Sequence, residues 1–166
     1  MNDILAKSNP PQSLHQHLEQ VRNCALQTLS PARLYAFERL GISSLAAKDL
    51  VASAAWLHDW GKATKEWQTD IQTGKEKLPQ HSLTSFLACR WLLGESSNKM
   101  KPEFLAMSLA VLGHHGQLHA GSFQNNNTNI SPYWDVWRDL SKELPIFSSC
   151  KDLKTPFPAK KLCTMI

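Results

Sequence analysis

Six side chains in this chain of 166 residues have the types and the neighbours to do chemistry together. His58 and Asp59 stand side by side at the end of a long apolar run, and Gly61 and Lys62 follow at once. His17, His81 and the adjacent pair His114-His115 lie well apart from them in sequence. Burying two ionisable groups beside a core run is costly unless something compensates them. A metal ion is one such partner, because neutral imidazole and carboxylate are good ligands for first-row transition metals. A carboxylate has two oxygens and can bridge two ions. Each histidine also has a plainer reading: a satisfied core residue for His17, a helix cap or surface residue for His81, chance adjacency for His114 and His115. Taken jointly, all of them fall at expected helix ends or on a buried face, and that favours the metal.

The elements that must position them follow from periodicity. Residues 1–12 read as a polar, proline-containing lead-in. Ser13 caps a helix to about Leu29, whose stripe is Leu14, Leu18, Val21 and Ala25; His17 lies at its edge, while His15 points to water. Ser30-Pro31 starts a short helix with Leu34, Phe37 and Leu40, ended at Gly41. The run from about Ser44 to His58, with Leu45, Ala46, Ala47, Leu50, Val51, Ala54, Ala55 and Leu57, is apolar nearly all round and marks a central helix. Gly61 suits a sharp exit after Asp59.

Further helices are expected at Thr64–Thr73, anchored by Trp67 and Ile71, and at about 81–93, beginning with His81. Pro102 opens another, with Leu105, Leu109 and Leu112 as its stripe and Gly113-His114-His115-Gly116 at its end. Gln117 to Asn129 reads as a loop, and Ser131-Pro132 as the start of a last helix carrying Trp134, Trp137, Leu140 and Leu144. No alternating strand and no internal repeat stands out. The fold class is therefore all-α, a compact bundle of about six or seven helices over residues 13–145. The segment 146–166 reads as a loose, truncated tail.

Composition narrows the function classes. Apolar residues make up 42% and charged residues 19%, which is a foldable balance. The net charge of +4 and pI of about 8.9 are compatible with a polyanionic partner without establishing one. Cys24, Cys89, Cys150 and Cys163 form no C-x-x-C pair, so a zinc ribbon has no support. No signal peptide and no apolar run approaching the ~20 residues of a membrane span is visible, so the expected location is cytoplasmic, with no membrane partner. No G-x-x-x-x-G-K-[ST] phosphate loop is present.

The segments His17-Leu18, Leu57-His58-Asp59-Trp60-Gly61-Lys62-Ala63-Thr64, His81-Ser82-Leu83 and Gly113-His114-His115-Gly116 occur in that order. Over about residues 13–120 the chain resembles the HD superfamily of metal-dependent phosphohydrolases. More narrowly, it resembles the HD nuclease domain of the Cas3 proteins of type I CRISPR interference. The resemblance implies an endonuclease or exonuclease acting on DNA, chiefly single-stranded, in antiviral defence. It implies as partners a Cas3 helicase domain, supplied in trans or lost by truncation, and the guide-RNA surveillance complex that reads the target by base pairing.

Carried over residue by residue, the resemblance implies that His17, His58 and Asp59 hold one metal, that Asp59 bridges, and that His81, His114 and His115 hold a second. The ions would be divalent transition metals, manganese, nickel, iron or cobalt, with magnesium as a further candidate. Two ions about 3.5–4 Å apart can clamp the attacking and leaving oxygens of a phosphodiester, and a metal makes hydroxide available near neutral pH. Asp59 and Lys62 are the expected catalytic residues; Lys62 either meets the scissile phosphate or is a solvated lysine at a helix end. The family pattern also has a later aspartate. Asp135 and Asp139 lie on an ordinary amphipathic helix and Asp152 in the tail, and none is assigned to that position. Two other readings stand beside the nuclease: an HD phosphohydrolase acting on nucleotides or cyclic oligonucleotides, and a truncated, non-catalytic remnant of the fold.

Overall fold

Serine and threonine oxygens start most of the helices. Such a side chain accepts a hydrogen bond from a first-turn N–H that has no partner within the helix. The computed structural model describes residues 4–75, 78, 80–92, 101–115 and 130–144. Ser13 caps α1 (Leu14–Gln27), Ser30 caps α2 (Pro31–Arg39), Ser43 caps α3 (Ser44–Leu57) and Thr64 caps α4 (Lys65–Gln72). A 3-10 turn, Trp60–Lys62, joins α3 to α4. Helices α5 (His81–Leu92), α6 (Pro102–Leu112) and α7 (Trp134–Ser141) complete a helical fold. Among the described residues, no single helix is long and apolar enough to cross a membrane.

Helix α3 is central, packed on α1, α6, α2 and α5. Small side chains make this possible: Ala47, Ala52, Ser53 and Ala55 are all buried, so neighbouring backbones approach closely. Trp56, Leu57 and Trp60 are fully buried beside them and form the core with Leu14 and Leu18 of α1 and Trp137 and Leu140 of α7. Two indoles also fasten α7. Trp56 Nε1 donates to the Leu140 carbonyl at 3.0 Å, and Trp137 Nε1 donates to the Trp60 carbonyl at 3.2 Å.

Several expectations are corrected. The lead-in is not featureless: β1 (Leu5–Ser8) and β2 (Pro11–Ser13) form an antiparallel hairpin. It lacks an alternating pattern because only Ala6 is buried on β1 and the strands are too short to show a period. Ser131-Pro132 does not start a helix. This segment is extended and bridges to α4's cap: Pro132 pairs with Thr64, Lys65 N–H donates to the Ser131 carbonyl at 3.0 Å, and Tyr133 N–H to the Ala63 carbonyl at 3.0 Å.

The stripe of α6 is also different. Leu105 and Leu109 are exposed, and Met107, Ser108 and Val111 are buried instead. The helix is apolar on most of its surface, so periodicity could not choose the face. Packing against α3 and α5 settles it; on the inside, Ser108 Oγ donates to the Phe104 carbonyl of its own helix at 2.8 Å and lies 3.3 Å from Cys89 Sγ. Leu45, on the first turn of α3, is exposed, and α2 buries none of its side chains fully. The expected loop 117–129 and tail 146–166 lie outside the described residues.

Candidate metal centre

Asp59 sits where α3 ends and the 3-10 turn begins, and its side chain is 3% exposed. Each of its oxygens faces a different set of groups. On one side, His17 Nε2 lies 2.9 Å and His58 Nε2 3.2 Å from Oδ2. On the other, His81 Nε2 lies 2.9 Å and His114 Nε2 3.3 Å from Oδ1. His115 completes the second set, with its Nε2 at 2.8 Å from His81 Nε2. The ligating atoms of His17, His58 and Asp59 all lie within 4.8 Å of one another, as do those of Asp59, His81, His114 and His115. The fold therefore brings all six residues together, with Asp59 in both groups.

Four elements bring the groups together. His17 projects from α1 beside the buried Leu18, and His58 and Asp59 end the central helix. His81 is the first residue of α5, and His114 and His115 follow the end of α6. Two of the rings are oriented by the helix they terminate. His58 Nδ1–H donates to the Ala55 carbonyl and His114 Nδ1–H to the Val111 carbonyl, both at 2.7 Å. A carbonyl can only accept, so the proton is on Nδ1 and, in a neutral ring, Nε2 carries the lone pair. Backbone carbonyls commonly set the tautomer of a ligating histidine in this way.

The arrangement fits a bound cation for a further reason. Asp59 Oδ1 and His114 Nε2 are both buried, and neither makes a well-directed hydrogen bond. A carboxylate oxygen and an imidazole lone pair therefore face one another at 3.3 Å, acceptor to acceptor. Burying two unpaired acceptors together is unfavourable. A divalent ion held by both would satisfy them, and the donor set of imidazole nitrogen and carboxylate oxygen suits a first-row transition metal.

Electrostatics keep the centre ready for such an ion. Burial pushes the Asp59 carboxyl upward, but the polar groups crowded around it outweigh burial and hold it well below the usual carboxylate range. Burial also lowers His81; Asp59 opposes that shift, while Lys62 and His114 add to it. His115 is lowered by burial first, then by His114 and His81. An anionic carboxylate and neutral imidazoles are the forms that bind metal.

Lys62 is not a solvated lysine. It is buried, with Nζ at 2.7 Å from Asp59 Oδ2, at 3.4 Å from the Ala6 carbonyl of β1, and 5.3 Å over the Trp67 ring. Gly61 serves a different end from the expected turn. Its backbone is not left-handed; instead, an added Cβ would strike the His81 carbonyl and lie 2.9 Å from Thr84 Cβ. The absence of a side chain lets the turn press against the start of α5, and Gly61 N–H donates to Ser85 Oγ at 2.8 Å. Ser85 and Gln68 support the site and were not singled out from sequence. A polar residue beside the Trp67 and Ile71 anchors was the available signal for Gln68.

Two cavities, of about 680 and about 600 Å³, open on the cluster. The first is walled by His17, His58, Asp59 and apolar residues of α1 and α3, the second by Lys62, His81, Trp67 and the turn of the hairpin; Lys62 and His115 border both. Asp135 and Asp139 do not join the centre. They pair with Arg138 at 3.0 Å and Lys142 at 2.6 Å along the exposed side of α7. Asp152 lies outside the described residues.

Comparison with known proteins adds the family. Residues 5–149 match the family described as Cas3, HD domain. No curated protein and no solved structure matched the chain. The match covers most of the sequence and spans every residue of the cluster, so the chain belongs to the Cas3 HD domain family, whose HD fold is that of metal-dependent phosphohydrolases.

Proposed function

We propose that this protein is a metal-dependent nuclease that cleaves phosphodiester bonds of DNA, chiefly single-stranded, as part of CRISPR interference. One observation carries the reading: the two oxygens of Asp59 face two separate sets of imidazoles, His17 with His58 and His81 with His114. His17, His58 and Asp59 would hold one divalent ion, and Asp59, His81, His114 and His115 the other. When bound, such a pair supplies Lewis acidity toward a phosphoryl oxygen and acidifies a water toward neutral pH.

The residues of the chain supply the rest. Asp59 stays anionic and holds both halves of the centre in register. His58 and His114, oriented by the Ala55 and Val111 carbonyls, present Nε2 inward without rotational search. Lys62 contributes a fixed positive charge where negative charge develops on the phosphate. Its border position between the two cavities supports that role, because a strand crossing from one to the other passes it. A pocket that grips phosphate and metal need not read bases. Sequence choice then falls to a guide-RNA surveillance complex, and strand delivery to a Cas3 helicase.

The test uses purified protein, circular single-stranded DNA and manganese, nickel or magnesium, with Asp59→Ala in parallel. Cleavage by the wild type and none by the variant is the expected result. Cleavage that persists in Asp59→Ala overturns the reading, and phosphate release from mononucleotides without DNA cleavage replaces it with a nucleotide phosphohydrolase.

A further inference from the structure

We infer that Gln68 is a positioning residue for Lys62 and acts through the N-terminal hairpin. Gln68 lies on α4 beside Trp67 and is 2% exposed. Its carboxamide makes three hydrogen bonds, each to backbone. Oε1 accepts from Leu5 N–H at 3.0 Å, and Nε2 donates to the Leu5 carbonyl at 2.8 Å and to the Lys62 carbonyl at 2.9 Å. The side chain thus treats β1 as a neighbouring strand would, pairing with both the N–H and the C=O of one residue.

That pairing matters because the hairpin is small. A two-stranded ribbon is marginal alone, and β1 pairs with no strand but β2 among the described residues. Its position must come from docking. The next residue along β1 is Ala6, whose carbonyl receives Lys62 Nζ at 3.4 Å. Gln68 therefore meets Lys62 at both ends, directly at its backbone carbonyl and, through Leu5 and Ala6, at an ammonium that Asp59 Oδ2 also holds at 2.7 Å. Trp67, one residue before Gln68, lies under the same ammonium. A lysine stem has many rotamers, and ordering it costs conformational entropy. A charge that is already fixed spares that cost during the reaction. Gln68 touches neither Asp59 nor any of the five clustered imidazoles in the described hydrogen bonds, so its influence runs through Lys62.

The inference rests on the catalytic reading of Lys62, and the experiment separates the two. Gln68→Met keeps length and removes all three bonds; Gln68→Glu keeps only the acceptor for Leu5 N–H and stands in if the first variant does not fold. Each is made in the wild-type and Lys62→Ala backgrounds. On single-stranded DNA with manganese, Gln68→Met is expected to lower kcat about tenfold, with KM and bound metal unchanged. In the Lys62→Ala background it is expected to change kcat no further. A second readout needs no activity: acetic anhydride should acylate Lys62 several-fold faster in the metal-free variant, read by mass spectrometry. An equal loss of kcat in both backgrounds, or unchanged acylation in a folded variant, overturns the proposal. A wild type that cleaves no DNA defeats the nuclease reading, while the acylation result still decides the role of Gln68.

Discussion

Lys62 Nζ lies 2.7 Å from Asp59 Oδ2, the same oxygen approached by His17 and His58. A buried ammonium so close to the shared carboxylate is part of the centre and not of the surface. Lys62→Met keeps the stem packed against Trp67 and removes the ammonium with its contacts to Asp59 and the Ala6 carbonyl. We expect it to retain bound metal and lose about 100-fold in kcat, the scale of removing one preorganised charge or donor. Steady-state kinetics with elemental analysis of the same sample check this; loss of metal along with activity would make Lys62 structural.

The division around Asp59 predicts graded metal loss. His17→Ala should empty the side shared with His58 and leave the His81, His114 and His115 side able to bind. His81→Ala should do the reverse. Asp59→Asn, equal in shape but uncharged, should weaken both sides, because both groups use its carboxylate. Metal-to-protein ratios after dialysis distinguish the three variants. Equal loss in His17→Ala and Asp59→Asn would contradict a two-sided centre.

The direction of the pH dependence follows from His81 and His115. Both are held below their ordinary value of 6.5 in the folded protein. Between the folded and unfolded values the unfolded chain binds more protons, so stability rises with pH. The metal-free protein should therefore lose stability as pH falls through about 6.5 and recover it above, while Asp59, held far below that range, stays anionic throughout. Calorimetric Tm values between pH 8 and pH 5 test the sign. Added metal should raise Tm most at the upper end, since protons compete for the imidazoles.

Gly61→Ala should harm both fold and centre. The new methyl meets the His81 carbonyl and Thr84 Cβ, and a tightly packed interior resists the added volume by about 1–3 kcal/mol. Because His81 is the atom group displaced, metal affinity on its side should fall in the same variant. Denaturant unfolding gives the first quantity and metal titration the second. A control is Leu109→Lys on the exposed side of α6, which should shift stability by no more than about 0.5 kcal/mol.

Local chemistry made much of this protein legible in one dimension. Ser13 and Ser30 are capping residues by type, and α1 and α2 begin beside them. The alanine-rich run from Ser44 announced a buried helix, and the polar pair at its end announced a site. The six clustered residues were also visible, since histidines at several helix ends are an unusual thing to leave unpaired.

What only the tertiary structure decided has one physical origin: contact between segments distant in sequence. That Lys62 is covered on its inner side depends on β1, whose Ala6 carbonyl lies 56 positions away in sequence. That Gly61 serves close packing and not a left-handed turn depends on α5 lying against it. Which face of α6 is buried depends on α3 and α5 packing against it. The hairpin escaped notice because its strands are too short to show a period, and it is placed by contacts with α1 and α4, Gln68 among them. Sequence determined which side chains could form the centre. Packing determined which oxygen of Asp59 each of them faces, because that choice belongs to helix ends meeting in space.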